Sequence, residues 1–322
     1  VRIGIVGATG IVGRELVSLL ATSKLKATEL RLSATTRSVG KKVATCLGEQ
    51  NIAELNIGFF SGLDLCFFCV SGEISETWVP LAQAQNVICI DNSSRYRMEA
   101  EVPLVVPEVN GELLRGQPRL IANPNCIVAP LAMALNPIQR SFGLEDLWVS
   151  TYQSVSGAGQ EAMTQLEAEL INYPRLRPVP GQFLLNVIGC IGSCDSQGHS
   201  QEERKIIQET RKILDLPALP VAVTAVRVPV MRGHCQAVTV ITKCRTSAEE
   251  IREVLTAGNV CVSADAPEPI AVQGTNQVYV GRLRENQEHR PRSYSFWLAA
   301  DNLRKGAALN ALSIAEHWWS LQ

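Results

Sequence analysis

The chain has 322 residues, 46% of them hydrophobic, which is enough for roughly two domains with full cores. With 30 basic and 31 acidic residues the formal net charge is −1, so no long-range field recruits nucleic acid or an anionic membrane, and neither is expected as a partner. No stretch approaches the ~18 continuous apolar residues of a membrane-spanning helix, and the first residues already read as a buried strand, so no leader segment is expected.

Arg2 to Val6 predicts a short apolar strand that passes through glycines into a helix over about Gly13 to Leu20. Leu30 to Ser33 predicts a second strand, and Asp64 to Val70 and Asn86 to Asp91 predict two more, separated by a helix over Glu76 to Ala84. Short strands alternating with helices to about Ala122 indicate a Rossmann-type, doubly wound parallel sheet. A helix is expected over Ile127 to Ala134, then a β-rich run over Leu147 to Ser154. Strands follow at Val221–Val228, Cys235–Lys243, Asn259–Ser263, Gln277–Leu283 and Ser293–Ala299, with helices over Gln160–Ile171, Glu202–Leu214 and Ser247–Thr256. Longer strands with fewer helices between them predict an α+β second domain on a mixed or antiparallel sheet. The prolines of Tyr173–Gly181 predict a loop, and the last helix is expected over Leu303–Trp319.

The ten cysteines lie mostly in apolar runs, as in Leu65-Cys-Phe-Phe-Cys-Val70, which predicts reduced thiols in a cytoplasmic protein rather than a disulfide framework. Cys66 and Cys69 have metal-like spacing but no second ligand pair, so they read as core and no metal is expected.

Gly7, Gly10 and Gly13 sit at the first strand-to-helix turn. That spacing lets backbone N–H groups, with Thr9, Ile11 and Val12 in the same turn, approach a dinucleotide pyrophosphate at a helix N-terminus. An NAD site usually carries a carboxylate near the end of the second strand. Here Ser33 to Lys42 contains no acid. Hydroxyls such as Ser33 and Ser38, with Arg37 backed by Lys41 and Lys42, suit a 2′-phosphate and point to NADP.

Cys126, in Asn123-Pro-Asn-Cys, stands at the opening of a helix. The helix end favours a thiolate and offers N–H donors to an oxyanion, so Cys126 reads either as a nucleophile or as a buried structural thiol. Four histidines compete as its base. His289 reads as an exposed loop residue, His317 as packing beside Trp318 and Trp319, and His199 as part of a polar loop. His234, after Gly233, is the best placed of the four. Arg227 lies seven residues earlier, so a continuous strand would put the two on opposite faces, and Pro229 and Gly233 must break that alternation if both are to face one site. Glu202 and Lys205 share a helix face and read locally as an ordinary ion pair, while Arg97 lies in a hydroxyl-rich loop that suits a phosphate or simply solvent.

Taken together, these motifs resemble the aspartate-β-semialdehyde dehydrogenase family over nearly the whole chain. The matching pieces are Gly7–Gly13, Asp91-Asn-Ser-Ser with Arg97-Met98, Val105–Asn110, Asn123–Cys126, Ser150–Gly159, Glu202–Lys205, Arg227–Val230, Arg232–His234, Val280–Arg282 and Asp301–Ala308. The resemblance implies NADPH-dependent conversion of β-aspartyl phosphate to aspartate semialdehyde, with release of phosphate, on the path to lysine, threonine and methionine. It implies Cys126 as nucleophile, Gln153 as its orienting partner and His234 as acid/base. It assigns the substrate carboxylate to Arg227, the amino group to Glu202 and the phosphate to Arg97 and Lys205, with Asn125 also at the substrate. Ser71, Gly72, Ser156, Gly157 and Asn302 join the cofactor residues on the same ground.

The implied domains are 1–125 for NADP, completed by 301–322, and 126–300 for catalysis and dimerisation, in a homodimer or a dimer of dimers. The family pattern has Ser or Thr after the nucleophile, whereas this chain has Ile127, and the loop Ile191–His199 also departs from it. N-acetyl-γ-glutamyl-phosphate reductase shares the chemistry, but it needs no Glu202-type partner and carries its cysteine in a Gly-Cys-Tyr-Pro context that is absent here. A weakly active or non-catalytic paralogue is the alternative from another class, and the intact Cys126, Gln153, Arg227 and His234 argue against it.

Overall fold

The computed structural model describes residues 1–322 apart from residues 174, 176, 178, 287 and 289. His289, and Pro174, Leu176 and Pro178 of the expected loop, therefore lie outside the described residues. The chain divides into two compact units, Val1–Asn125 with Ala307–Gln322, and Cys126–Gly306.

The first unit contributes β1 (Arg2–Val6), α1 (Ile11–Leu20), β2 (Glu29–Ser33), β3 (Lys42–Thr45), β4 (Gly48–Ala53), β5 (Leu65–Phe68), α2 (Gly72–Ala84), β6 (Ile88–Asp91), the one-turn α3 (Pro107–Asn110) and β7 (Leu120–Ala122). The second contributes α4 (Val128–Phe142), β8 (Leu144–Gln153), α5 (Gln160–Asn172), α6 (Gln201–Ile213), β9 (Val221–Arg227), β10 (His234–Thr242), α7 (Ala248–Ala257), β11 (Val260–Val262), the one-turn α8 (Pro269–Val272), β12 (Val278–Glu285) and β13 (Ser293–Ala300). A π-helical turn over Arg304–Ala308 leads into α9 (Leu309–Ser320), where a single helix from Leu303 was expected. α4 outruns its expected end at Ala134, because Leu135 and Ile138 are buried and carry the helix past Pro137.

In the first unit the strand order is β3-β4-β2-β1-β5-β6-β7, parallel except for the β3–β4 hairpin. The sheet is buried on both faces. Ile3, Ile5, Leu65 and Phe67 join α1 and α9 in one apolar cluster, while Val6, Cys66 and Phe68 face the other way among Phe60, Val79 and Ala82. Strands covered on both sides read as continuous apolar runs, which is why they were visible in the sequence. The hairpin was not, because Lys42–Thr45 and Gly48–Ala53 are mostly polar and half exposed. Lys42, expected to back Arg37, lies on β3 and makes an exposed ion pair with Glu49 at 3.2 Å. Strand order reverses beside β1, with β2 on one side and β5 on the other, and ligands bind at such switch points in open α/β sheets.

The second unit holds a mixed six-stranded sheet, ordered β11-β12-β13-β10-β8-β9. Here β8 lies between β9, which is parallel to it, and β10, which is antiparallel. One face carries α4, α6 and α7. Along β8 the side chains alternate: Val149, Thr151 and Gln153 are buried, while Trp148 and Tyr152 emerge on the opposite face. Tyr152 stacks obliquely on Trp297 there, 5.1 Å between ring centroids.

Eight cysteines are free thiols, and burial pushes the Cys69 thiol up to about 12. Cys190 and Cys194 form one local disulfide in the loop before α6, which is no disulfide framework. Among the described residues no helix is long and apolar enough to cross a membrane.

Candidate active site

At the end of β1, Gly7 adopts φ +88°, and a Cβ there would stand 2.2 Å from the carbonyl oxygen of Cys69, just beyond β5. A Cβ on Gly13 would meet Gly7 O at the same 2.2 Å, so these two glycines let strand, turn and helix close on one another. Gly10 differs: its nearest neighbour is Gly7 O at 3.3 Å, and it caps α1 without a side chain. The first turn of α1 contains no acid, so nothing there competes with an anion at the helix N-terminus. Gly7 N and Ala8 N both donate to Ser33 O, at 2.8 and 2.9 Å, which ties the turn to the end of β2. Ser33 Oγ is buried there with no hydrogen-bond partner among the described residues. Arg37 is exposed in a 3-10 turn over Thr36–Ser38, and Ser71 caps α2 with Gly72 as its first residue. An open anion-binding turn beside an unpaired hydroxyl fits a dinucleotide.

Also in the first unit, Arg97 is buried, its Nε donating to Asn123 O at 2.9 Å and Nη2 to Asn92 O at 2.8 Å. Asp91, named in the sequence only as part of a motif and given no role, anchors that loop. It accepts from Ser75 and Ser93 hydroxyls at 2.6 Å each, and burial raises its pKa. Asn125 is buried at the end of this unit, and His317 packs by its ring against Gly111.

In the second unit three strands bring the chemistry together. Gln153 ends β8 opposite Arg227 at the end of β9, and β10 begins at His234 on the other side of β8. The helix-covered face carries all three, because Gln236, two residues from His234, pairs with Thr151, two from Gln153. Arg227 and His234 thus belong to different strands that meet β8 at one end, and the alternation within a single strand never applies. A Cβ on Gly157 would stand 2.8 Å from Arg227 Nη1 and 3.0 Å from His234 Nε2, so these two groups lie directly beneath that glycine.

Arg227 is buried, its Nη1 donating to Ser154 O at 2.8 Å. Burial lowers its pKa, opposed by the charges of Cys126 and Glu202, which places both within its electrostatic reach. Glu202 is buried near the start of α6, where Gln153 Nε2 donates to it at 3.3 Å and Lys205 Nζ stands 3.8 Å away. The capping box formed by Ser200 and Glu203 sets that helix start, and Glu203 Oε1 also accepts from Ala225 N at 3.0 Å. Glu203 therefore fixes Glu202 beside β9, a role the sequence reading missed.

Cys126 is half-exposed, two residues before α4. Ile127 is fully buried and its carbonyl accepts from Gln236 Nε2 at 3.1 Å. Behind the thiol, a Cβ on Gly306 would come within 2.8 Å of Cys126 O and 3.0 Å of its Cβ. Gly306→Ala must therefore displace Cys126, and kcat is expected to fall on the order of 10²-fold. Steady-state kinetics at saturating substrate checks this, and an unchanged kcat would show that the thiol tolerates the shift.

His234 is buried, and burial, followed by the charge of Arg227, lowers its pKa to about 3. Between pH 6.5 and 3 the unfolded chain binds a proton that the folded ring refuses. Stability should thus be level above pH 6.5 and fall below it by up to about 1.4 kcal/mol per pH unit. Urea unfolding at pH 7, 6 and 5 should show a shallower loss in His234→Asn than in the parent, and parallel losses would assign the acid sensitivity elsewhere.

Ser156 and Asn302, both buried, bond each other, and Ser154 links them to His234. His199 lies in the loop before α6, where its carbonyl accepts from Asp195 N at 2.8 Å.

Residues 2–117 match the family model described as semialdehyde dehydrogenase, NAD binding domain, and residues 135–305 match its dimerisation domain. The aspartate-semialdehyde dehydrogenase of Aquifex aeolicus is 39% identical over 98% of this chain and 97% of its own. This chain belongs to the aspartate-semialdehyde dehydrogenase family. The Bacillus subtilis member is 37% identical over 98% of this chain and 96% of its own. A crystal structure of aspartate semialdehyde dehydrogenase II from Vibrio cholerae, complexed with ASA, superposes with a TM-score of 0.92 at 37% identity, covering 99% of this chain and 98% of that one. As a family member the chain carries an NAD(P)-binding domain and an oxidoreductase scaffold that acts on aldehydes.

Proposed function

We propose that this family member converts β-aspartyl phosphate to aspartate β-semialdehyde with NADPH, through a thioester on Cys126. The observation that carries the reading is the second-unit cluster: Arg227 and His234 side by side beneath Gly157, Glu202 bonded to Gln153, and Cys126 within reach of the Arg227 charge. The Vibrio cholerae relative complexed with ASA supports the substrate.

The end of α4 and the Arg227 guanidinium favour the Cys126 thiolate, which attacks the acyl carbon. Collapse of that adduct expels phosphate, whose charge is assigned to Lys205 and to Arg97. Arg227 holds the substrate carboxylate with a planar fork, and the buried Glu202 carboxylate takes the amino group. Gln153 holds Glu202 in place, and any further contact it makes with the reacting carbon belongs to its amide oxygen. When bound at the glycine turn, the reduced nicotinamide supplies the hydride. His234 holds the proton at Nε2 for the oxygen of the Cys126 adduct as it forms and collapses.

The open sheet face with Trp148 and Tyr152 is the proposed homodimer surface, in keeping with the dimerisation-domain match; further assembly would make a dimer of dimers. Arg37 and the acid-free end of β2 select NADP. Arg37→Ala should weaken NADPH but not NADH, by about 1.5–3 kcal/mol for a lost charged hydrogen bond. Fluorescence titration with both cofactors measures this, and equal weakening would move 2′-phosphate recognition elsewhere.

The function itself is tested by initial rates with aspartate semialdehyde, NADP and phosphate, in parallel with N-acetylglutamate semialdehyde. NADPH formation that needs phosphate and favours the first substrate is expected. Preference for the acetylated substrate, or nucleotide binding without turnover, would replace the reading with one of its rivals.

A further inference from the structure

The two ring nitrogens of His234 have different surroundings. Nδ1 lies 3.0 Å from the backbone N of Ser154 and 3.0 Å from its Oγ. Nε2 is buried with no hydrogen-bond partner among the described residues. A backbone amide can only donate, so Nδ1 accepts, and a neutral ring that accepts at Nδ1 carries its proton on Nε2.

The side chains behind the ring enforce the same direction. Asn302 Oδ1 accepts from Gly233 N at 2.9 Å, which settles how the amide is turned. Its Nδ2 therefore faces Ser156 Oγ, at 2.9 Å, and donates to it. Ser156 Oγ, having received one hydrogen, passes its own to Ser154 Oγ at 3.0 Å. Ser154 Oγ, 3.0 Å from Nδ1, then directs its hydrogen at the same single lone pair that the Ser154 amide engages. Both hydroxyls also make longer contacts to Asn302 Oδ1, at 3.3 and 3.2 Å, where the amide oxygen has a second lone pair beside the one that Gly233 takes, and these are weaker than the shorter bonds of the chain. Ser154, Ser156, His234 and Asn302 are all buried, so water does not rearrange the chain.

We propose that Asn302, Ser156 and Ser154 are positioning residues that hold His234 as its Nε2–H tautomer, so that it enters the reaction as a hydrogen-bond donor to the oxygen of the Cys126 adduct and not as the base that activates Cys126. Taking a proton at Nε2 would require either moving the ring hydrogen to Nδ1, against the Ser154 N–H, or charging the ring beside Arg227. Two donors head to head in a buried site are costly. Burial and the Arg227 charge, which keep the ring neutral, act in the same sense. The Cys126 thiolate then rests on the α4 terminus and Arg227. The mechanistic part rests on the proposed function, whereas the tautomer does not.

Asn302→Asp is the sharpest probe. The new side chain has nearly the same shape and still accepts from Gly233 N, but it replaces the Nδ2 donor with an acceptor. Ser156 would then donate toward the carboxylate, Ser154 toward Ser156, and Nδ1 would face an accepting hydroxyl. The experiment is long-range proton–nitrogen NMR of the ligand-free full chain labelled with 15N-histidine, with His234 assigned by loss of its signals in His234→Gln.

At pH 7 the parent should show an unprotonated Nδ1 and a protonated Nε2. Asn302→Asp should raise a minor population of Nδ1–H or doubly protonated ring above that of the parent, with Nε2–H still the major form because the Ser154 N–H remains, and Ser156→Ala should do so to a smaller extent. An Nδ1–H or charged ring in the parent, which needs no variant to detect, would overturn the proposal. So would unchanged tautomer populations in Asn302→Asp with circular dichroism intact. Because no substrate is present, an Nε2–H ring in a chain that fails to turn over aspartate semialdehyde would sink the functional reading and leave this one standing.

Discussion

Cys126→Ala is expected to lower kcat by at least about 10⁴-fold while leaving the NADPH dissociation constant within a few-fold. Without the sulfur there is no atom to carry the acyl group, and the buried thiols are not equipped to replace it. Burial raises the Cys66, Cys69, Cys89 and Cys235 thiols, the last to about 12, so these stay protonated and weakly nucleophilic. Cofactor affinity should survive because the glycine turn, Ser33 and Arg37 belong to the first unit, whereas Cys126 opens the second. Stopped-flow kinetics and equilibrium titration of the variant check both halves. Residual turnover above a hundredth of the parent rate would mean that the acyl group is carried elsewhere.

Arg227→Lys is expected to raise KM for the semialdehyde by roughly 10- to 150-fold, the equivalent of about 1.5–3 kcal/mol for a charged hydrogen bond. The guanidinium spends Nη1 on Ser154 O and still has donors in a fixed plane, whereas an ammonium replaces that fork with a point charge. The positive charge beside Cys126 and His234 is retained, so kcat should change less than KM. Lys205→Ala should fail differently. In the proposed mechanism its loss removes the charge assigned to phosphate, and its 3.8 Å contact with Glu202 is too loose to carry much of the amino-acid end. KM for phosphate should rise strongly and KM for the semialdehyde only modestly. The pair is measured in the phosphorylating direction, varying one substrate with the other saturating, and parallel rises in both constants would reverse the assignments.

The sequence disclosed the strands of the first sheet, the glycine turn and the thiol at a helix start, because each leaves a local signature in spacing or apolar content. What it hid was non-local. Arg227 and His234 looked misaligned at seven residues apart, and only the insertion of β8 between β9 and β10 brings them to one end of one face. Ser154 and Asn302, 148 residues apart, read as separate polar positions until β10 and the turn after β8 met. Gly306 carried no signal of its own in a run of small residues, yet the backbone of Cys126 rests against it. The β3–β4 hairpin was missed for the opposite reason: its residues are polar and make few demands on the core.

The central claim is that Cys126 carries the aspartyl group. The most direct measurement mixes the chain with aspartate semialdehyde and NADP without phosphate, quenches in acid within the first turnover and maps the peptides by mass spectrometry. The account predicts a burst of NADPH close to one per active site and an aspartyl adduct on the peptide that contains Cys126, discharged when phosphate is added before the quench. A burst with the adduct on another cysteine, or NADPH formation with no acyl-enzyme at all, would contradict it.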